Sequence, residues 1–429
     1  MQCSLIQSLR DLINDPDFVA RHRRSKTDFT RYRTLSFPIM VVFLLNLIKG
    51  ALQRELDQFF QVLSPGDVAE RVVTKSAFCA ARQKLKSSAF IELNRHLVQR
   101  WYHDAPVRRW RGFDLRAIDG STVRLPDTPE VIAQFGQMFP AHSDPATLAR
   151  ISQVYDPLNG LILDAIIAPY QQDERTLLIE HLAALEAGSL LLLDCGYPAF
   201  WVFAALQARK LSWCARVAPD TWSVVGDFLA AGRNDAVVTL HPHAEAQAAC
   251  RSRGFPTTVI PVRLIRVLLP TGEVEIVMTS LLDRDDYPAE EFATLYHLRW
   301  AQEENYKCFK CRVEVENWSG KSPLTIRQDF HAKVFTLNLT VVLTRTAQQQ
   351  VDEHHRGDSH PKQVNLTHAL CAMKGTLVRL LIRSDPLDLL RALIDVFART
   401  IEPVRPRRLY PRRKGPRLHG YHMTYKPCS

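Results

Sequence analysis

Ser189-Leu190-Leu191-Leu192-Leu193-Asp194-Cys195-Gly196-Tyr197 decides how this chain is read. Four consecutive leucines leave neither alternating face of a strand polar. Such a strand belongs at the centre of a sheet, buried on both sides by helices. The run closes on an acid, Asp194, at the carboxyl edge of the strand, where ligands gather in open α/β sheets. The chain is therefore expected to be α/β, with a functional carboxylate at the edge of its central sheet.

Upstream of this strand, Asp173 to Glu186 has the texture of a helix ended by Gly188. Before it, Ile151 to Tyr155 and Leu161 to Ile167 are strands flanking Asp156-Pro-Leu-Asn159-Gly160, a hairpin turn. Leu115 to Leu125 is a strand carrying Asp119 at its middle or exit, beside Gly120. Downstream, Ala199 to Arg209 is helical and Ser212 to Val217 is a further strand. This order resembles the start of a ribonuclease H-like fold. In that fold the next helix follows at once. Here residues of about 218 to 284 intervene, rich in strand signals: Val262 to Leu269, a Pro270-Thr-Gly272 turn, and Glu273 to Thr279. The delayed helix opens after Asp283-Arg-Asp-Asp286-Tyr-Pro288, where the proline, Glu290 and Glu291 suit a helix start. The expectation is an α/β chain with a ribonuclease H-like catalytic core over 106–217 and 285–345, interrupted by a β-rich insertion over 218–284.

Residues 1–105 read as an α-helical N-terminal domain. Phe37 to Gly50 is apolar nearly all round, as in a buried helix, and Ala51 to Leu63 continues amphipathically to a break at Ser64-Pro65-Gly66. Thr74-Lys75-Ser76 opens another helix that runs to Lys86 with basic residues in its second half. A DNA-binding domain fits this texture, and so does a helical lid or dimerisation element. Residues 346–429 read as a helical region and a basic tail.

At 429 residues the chain is long enough for two to three domains. Its formal charge is +10, and the excess is localised. No acid follows Glu402, whereas Arg405, Arg407, Arg408, Arg412, Arg413, Lys414, Arg417 and Lys426 add eight positive charges. Further basic knots lie at Arg21, Arg23, Arg24, Lys26, Arg31 and Arg33, and at Arg108, Arg109 and Arg111. Clusters of this kind contact a polyphosphate such as DNA; an acidic membrane surface would attract them too. Nine scattered cysteines lack the even spacing of a secreted disulfide framework. Cys308 and Cys311 form one Cys-x-x-Cys without the second pair that a zinc site needs. There is no secretory leader pattern, and the apolar run Pro38 to Ile48 is short of the ~20 residues that span a bilayer. A cytoplasmic, nucleoid-associated location is expected.

A second chemistry-bearing stretch is Tyr296-His-Leu-Arg299-Trp300-Ala-Gln-Glu303-Glu-Asn-Tyr-Lys307-Cys-Phe-Lys310. On one continuous helix, Tyr296, Arg299, Glu303 and Lys310 fall within about 60° of one another. Such a face is either a solvated charged surface or a metal-assisted phosphodiester site, the carboxylate holding a cation and the bases gripping phosphates. Asp119, Asp194 and Glu303 each have a bland explanation: a turn, a helix cap, a solvated helix residue. Together, on two strands and a following helix, they can converge on a pair of hard divalent cations about 4 Å apart.

These residues carry a resemblance. The chain is similar to the DDE transposases of bacterial insertion sequences, in the branch with the signature Tyr-x2-Arg-x3-Glu-x6-Lys, which Tyr296, Arg299, Glu303 and Lys310 satisfy at every position. Asp119-Gly120-Ser121-Thr122 resembles the first catalytic aspartate motif of that family and Asp194-x-Gly196-Tyr197 the second. Phe29-Thr-Arg-Tyr-Arg33, Lys75-Ser-Ala-Phe78, Glu316-Asn-Trp-Ser-Gly320-Lys321 and Gln328-Asp-Phe330 extend it over most of the chain. The resemblance implies that Asp119, Asp194 and Glu303 are catalytic and ligate two Mg²⁺ ions, with Mn²⁺ as a substitute. It implies that Tyr296, Arg299 and Lys310 hold phosphates of the cleaved DNA end. It also implies double-stranded DNA, both transposon ends and target, as partner, and a homodimer when bound to it. The family often cuts through a hairpin with a flipped base stacked on an aromatic. Glu273 to Thr279 contains no tryptophan for that, Trp300 is a packing candidate, and Trp213 and Trp222 read mainly as core. A catalytically inactive DNA-binding regulator and a two-metal nuclease without strand transfer are the competing readings.

Overall fold

The computed structural model describes residues 2–64, 69–139, 144–268, 273–382 and 386–404. The basic tail, the Pro270-Thr-Gly272 turn and Pro65-Gly66 lie outside the described residues. Among those residues the chain opens with helices α1 (Gln2–Asn14), α2 (Pro16–His22), α3 (Phe37–Leu45), α4 (Leu52–Leu63), α5 (Lys75–Arg82) and α6 (Ser88–Asp104). Next come β1 (Asp114–Arg124), α7 (Pro129–Phe135), β2 (Gln137–Met138), β3 (Ala146–Asp156), β4 (Leu161–Pro169), α8 (Glu174–His181), β5 (Ser189–Leu193), α9 (Phe200–Ala208) and β6 (Ser212–Val217). Then follow α10 (Ser223–Ala230), β7 (Asp235–Leu240), α11 (Ala244–Arg253), β8 (Ile260–Leu268) and β9 (Val274–Thr279). The chain continues with α12 (Glu291–His297), α13 (Trp300–Cys311), α14 (Pro323–His354), β10 (Lys362–Val364), α15 (Leu366–Ile382), α16 (Leu387–Arg399) and β11 (Ile401–Pro403). The chain forms two compact units, one of residues 1–106, 123–149 and 307–429, the other of 107–122 and 150–306.

The second unit is built on a large mixed sheet in the order β4-β3-β1-β5-β6-β9-β8-β7. β1, β5 and β6 pair in parallel, while β6–β9, β8–β9 and β7–β8 pair antiparallel. β5 is central and all five of its residues are buried, as four leucines in a row require. Leu191 and Leu193 join Ile118, Phe203 and Trp213 in a core on one face, and Leu190 and Leu192 join Leu115, Ala117, Phe292 and Tyr296 on the other. Each fully buried leucine contributes about 1.5–3 kcal/mol of hydrophobic free energy. The segment after β6 adds three strands to the same sheet, together with two helices, α10 and α11, that its strand-rich texture does not announce.

The first unit is helical around α14, 32 residues long and opened by a capping box at Ser322 and Thr325 with Pro323 in the first turn. Its buried polar residues are each tied to a neighbour. The Thr336 hydroxyl donates to the Leu45 carbonyl (2.8 Å) and the Asn338 amide to Asn94 Oδ1 (2.7 Å). Arg82 at the end of α5, 2% exposed, donates to Gln328 Oε1 (2.6 Å), Ser319 Oγ (2.7 Å), the Thr325 carbonyl (2.9 Å) and Asp329 Oδ1 (2.6 Å). No described helix is long and apolar enough to cross a membrane.

Candidate active site

The register of three strands sets the first part of the site. Ile118 of β1 stands opposite Leu193 of β5, and Leu193 opposite Ala215 of β6. The next residue of each is polar, so Asp119, Asp194 and Arg216 stand in a row along one edge of the sheet. Asp119 and Asp194, 75 positions apart in sequence, are thereby neighbours across parallel strands ~4.8 Å apart.

The two carboxylates sit in unequal environments. Burial pushes Asp119 up to about 6, and the charges of Asp194 and Glu174 add to this, against the Gly120 N–H and the Arg299 guanidinium. Its Oδ1 accepts from the Gly120 N–H at 2.8 Å. Burial also disfavours the charged form of Asp194, but the Cys195 N–H (2.7 Å), Arg299 and Arg216 outweigh it and hold this carboxyl below the usual range. Arg216 donates to Asp194 Oδ1 (3.0 Å) and to Glu275 Oε1 of β9 (2.7 Å).

Tyr296, Arg299 and Glu303 arrive from the other side of the chain, but not on one continuous helix. The chain tightens between α12 and α13: Leu298 N–H bonds to Leu295 carbonyl, Arg299 to Tyr296 and Ala301 to Leu298, each a three-residue turn. Tyr296 thus lies in the last turn of one helix, Arg299 lies in the joint, and Glu303 and Lys310 belong to the next. The break serves burial, because Tyr296 packs into the core above β5 while α13 buries Gln302, Asn305, Tyr306 and Phe309. The Tyr296 hydroxyl donates to the Leu193 carbonyl (3.3 Å), one residue before Asp194. Arg299, 4% exposed, donates from Nη2 to Glu303 Oε1 at 3.1 Å, and its buried Nε has no partner. The structure thus brings Asp119, Asp194, Tyr296, Arg299 and Glu303 into the second unit, whereas Lys310, seven positions beyond Glu303 on α13, falls in the first. Among the described residues no group of three or more His, Cys, Asp or Glu side chains is closed into a metal-holding arrangement.

Some residues at this edge were not legible as site residues. Arg216 looked like an ordinary strand residue. Glu174, in the first turn of α8, has the look of an acid placed for the helix dipole, yet its carboxylate lies over Gly120. Tyr306 donates to the Asp119 carbonyl at 2.7 Å. Of the tryptophans considered for base stacking, Trp213 is core, stacked on Phe203 (5.1 Å), while Trp300 is half exposed beside His297. Cys308 and Cys311 are free thiols.

A parallel sheet edge thus bears paired aspartates, with an arginine–glutamate pair on the helix that follows. The sequence profile of the transposase DDE domain family matches residues 110–339, more than half of the chain, and the chain belongs to that family. The chain is 26% identical over 422 residues to the transposase InsG for insertion sequence element IS4 of Escherichia coli (strain K12), covering 95% of this chain and 91% of that protein. It is 28% identical over 136 residues to the putative transposase InsZ of the same organism, covering 30% and 44%. Among solved structures, the piggyBac transposase synaptic complex with hairpin DNA, determined by cryo-electron microscopy, is similar at a TM-score of 0.47 with 9% identity, over 94% of this chain and 86% of that one.

Proposed function

We propose that this transposase binds the ends of an insertion sequence, cleaves DNA and joins the 3′ ends to target DNA by phosphoryl transfer at two Mg²⁺ ions, with Mn²⁺ as a substitute. The observation that carries the proposal is the register that sets Asp119 beside Asp194. Two carboxylates held side by side, one already reluctant to ionise, make a site that a hard cation would relieve. In this reading the core is ribonuclease H-like, formed by 106–217 and 285–345 and interrupted by the 218–284 insertion; residues 1–105 take part in DNA binding, and 346–429 supply a helical region and the basic tail.

Asp119, Asp194 and Glu303 are the ligands in this reading, and their all-oxygen donor set is what Mg²⁺ requires. Once bound, the ions supply charge that activates the attacking oxygen and stabilises the leaving one. Tyr296, Arg299 and Lys310 hold phosphates of the cleaved end. For Tyr296 and Arg299 this means exchanging the Leu193 carbonyl and the Glu303 carboxylate for phosphate oxygens, and the second exchange releases Glu303 toward the aspartates. Guanidinium suits that task because it binds phosphate as readily as carboxylate. The partner is double-stranded DNA, transposon ends and target, engaged by a homodimer. In the first unit, Arg31, Arg33 and Lys84 line a groove of about 750 Å³ beside the fully exposed Tyr32, a surface suited to the DNA backbone.

Glu303→Gln tests the reading: it is expected to abolish cleavage of end DNA with Mg²⁺ while end binding persists. Cleavage at the wild-type rate would refute the assignment. The nuclease reading predicts cut ends that never join a target duplex, so a strand-transfer assay separates the two. An inactive regulator would be expected to have lost one of the acids, and Asp119, Asp194 and Glu303 are all present.

A further inference from the structure

We propose that Glu174 is a fourth carboxylate of the cation centre, admitted to the sheet edge by the missing side chain of Gly120. This rests on the reading of Asp119 and Asp194 as cation ligands. Along β1, Leu115 and Ala117 face the α12 side and Ile118 faces the α8 side. By strand alternation Asp119 then turns to the α12 side and Gly120 to the α8 side. Glu174, from the start of α8, thus approaches the edge from the face opposite to Asp119.

The space it occupies is reserved for it. A Cβ at Gly120 would lie 2.5 Å from Glu174 Oε1 and 2.8 Å from its Cδ, and one at Gly196 would lie 3.9 Å from Oε2. Gly120 follows Asp119 directly, and Gly196 is two residues beyond Asp194. One carboxylate therefore fills the space a side chain at Gly120 would need and comes within ordinary contact distance of Gly196. Neither glycine needs a left-handed backbone, since neither is among the positive-φ residues. Room for Glu174 is the structural requirement seen at Gly120.

A second, independent observation lies beneath the same edge. Tyr197 is 1% exposed and its hydroxyl has no hydrogen-bond partner. Burial pushes this phenol well above its ordinary range, and the charges of Asp119, Glu174 and Asp194 add to the shift. A buried donor left without an acceptor costs about 1–3 kcal/mol. Lying in the field of three carboxylates, it suits a centre whose groups rearrange when an ion enters. Glu174 is held meanwhile by Arg150, whose Nη1 donates to Oε1 at 2.7 Å, with the guanidinium 5.7 Å from the Tyr170 ring centre.

A plain ion pair with Arg150 is the alternative, and Mn²⁺ binding by the full-length protein without DNA, followed by electron paramagnetic resonance of the free ion, separates the two. Glu174→Gln should weaken Mn²⁺ binding about tenfold, the scale of a supporting ligand, while Arg150→Gln, which frees the carboxylate, binds at least as tightly as wild type. Gly120→Ala displaces the carboxylate without touching it, and should weaken binding in the wild type but add nothing to Glu174→Gln. Unchanged affinity in Glu174→Gln, or equal losses in Glu174→Gln and Arg150→Gln, overturns the proposal. Asp119→Asn separates it from the reading beneath: if Asp119→Asn loses Mn²⁺ and Glu174→Gln does not, only the role of Glu174 falls. If Asp119→Asn binds as wild type does, both fall.

Discussion

At Asp119 the fold works against its own ionisation. The folded pKa of about 6 lies above the ordinary 3.8, so between these values the folded state binds a proton that the unfolded chain has released. Stability contributed by protonated Asp119 is present below that window and is lost as pH rises through it. The cost at neutral pH is up to about 3 kcal/mol, from roughly 1.4 kcal/mol per pKa unit. Asp119→Asn removes it, so the metal-free variant should resist urea better than wild type at pH 7.5, with the difference shrinking toward zero at pH 4. Equal stability at both pH values would contradict the burial of an ionised Asp119. Asp119 and Asp194 were legible in the sequence because each lies within or at the end of a strand-like run with a glycine one or two residues on. Glu174 was not, since an acid in the first turn of a helix is ordinary and only the space above Gly120 sets it apart.

At the scale of elements, the sequence texture succeeds where one interaction dominates and misleads where two compete. β5 was legible because four leucines admit no other placement, and Leu192→Ala should cost about 2–5 kcal/mol in urea unfolding through the cavity it leaves. The single helix expected from Tyr296 to Lys310 is two helices, because Tyr296 and the Gln302–Asn305–Tyr306 face must both be buried and uniform helical spacing does not aim them together. The basic second half of the helix expected from Thr74 to Lys86 fits a DNA-binding domain, a lid or a dimerisation element alike, and in the structure its Arg82 is buried and clamps Gln328 and Asp329 of α14. Gln328 and Asp329, quoted for the family resemblance, therefore belong to a polar clamp closed by Arg82 of α5. Arg82→Met leaves Asp329 buried without its ion-pair partner and should destabilise by about 3–5 kcal/mol. Adding Asp329→Asn should then cost little more, so that the double-mutant cycle shows coupling above ~1 kcal/mol. Additive losses would mean that the pair is incidental.

At the scale of the whole molecule, charge that looks uniform in sequence divides into spent and available. Arg21 is bonded to Glu92 (2.6 Å), Arg109 to Asp114 (3.0 Å) and Arg111 to Glu291, so part of two basic knots serves the fold. Arg31, Arg33 and Lys84, by contrast, are exposed along the groove of the first unit. No pattern in the sequence separates these two kinds of arginine, because the acids that pair with Arg21 and Arg111 are 71 and 180 positions away. Each cation that neutralises a DNA phosphate contributes about 0.9 to the slope of log affinity against log salt. Replacing Arg31, Arg33 and Lys84 together by glutamine should therefore lower the slope for end DNA by about 2 to 3, measured by fluorescence anisotropy across a salt series. Mn²⁺ affinity should stay at the wild-type value, since the proposed ligands Asp119, Asp194 and Glu303 belong to the other unit. Glu303→Gln should show the reverse, an unchanged salt slope with cleavage lost. A slope that survives the triple replacement would remove the groove from the DNA path and leave binding to basic residues elsewhere in the chain.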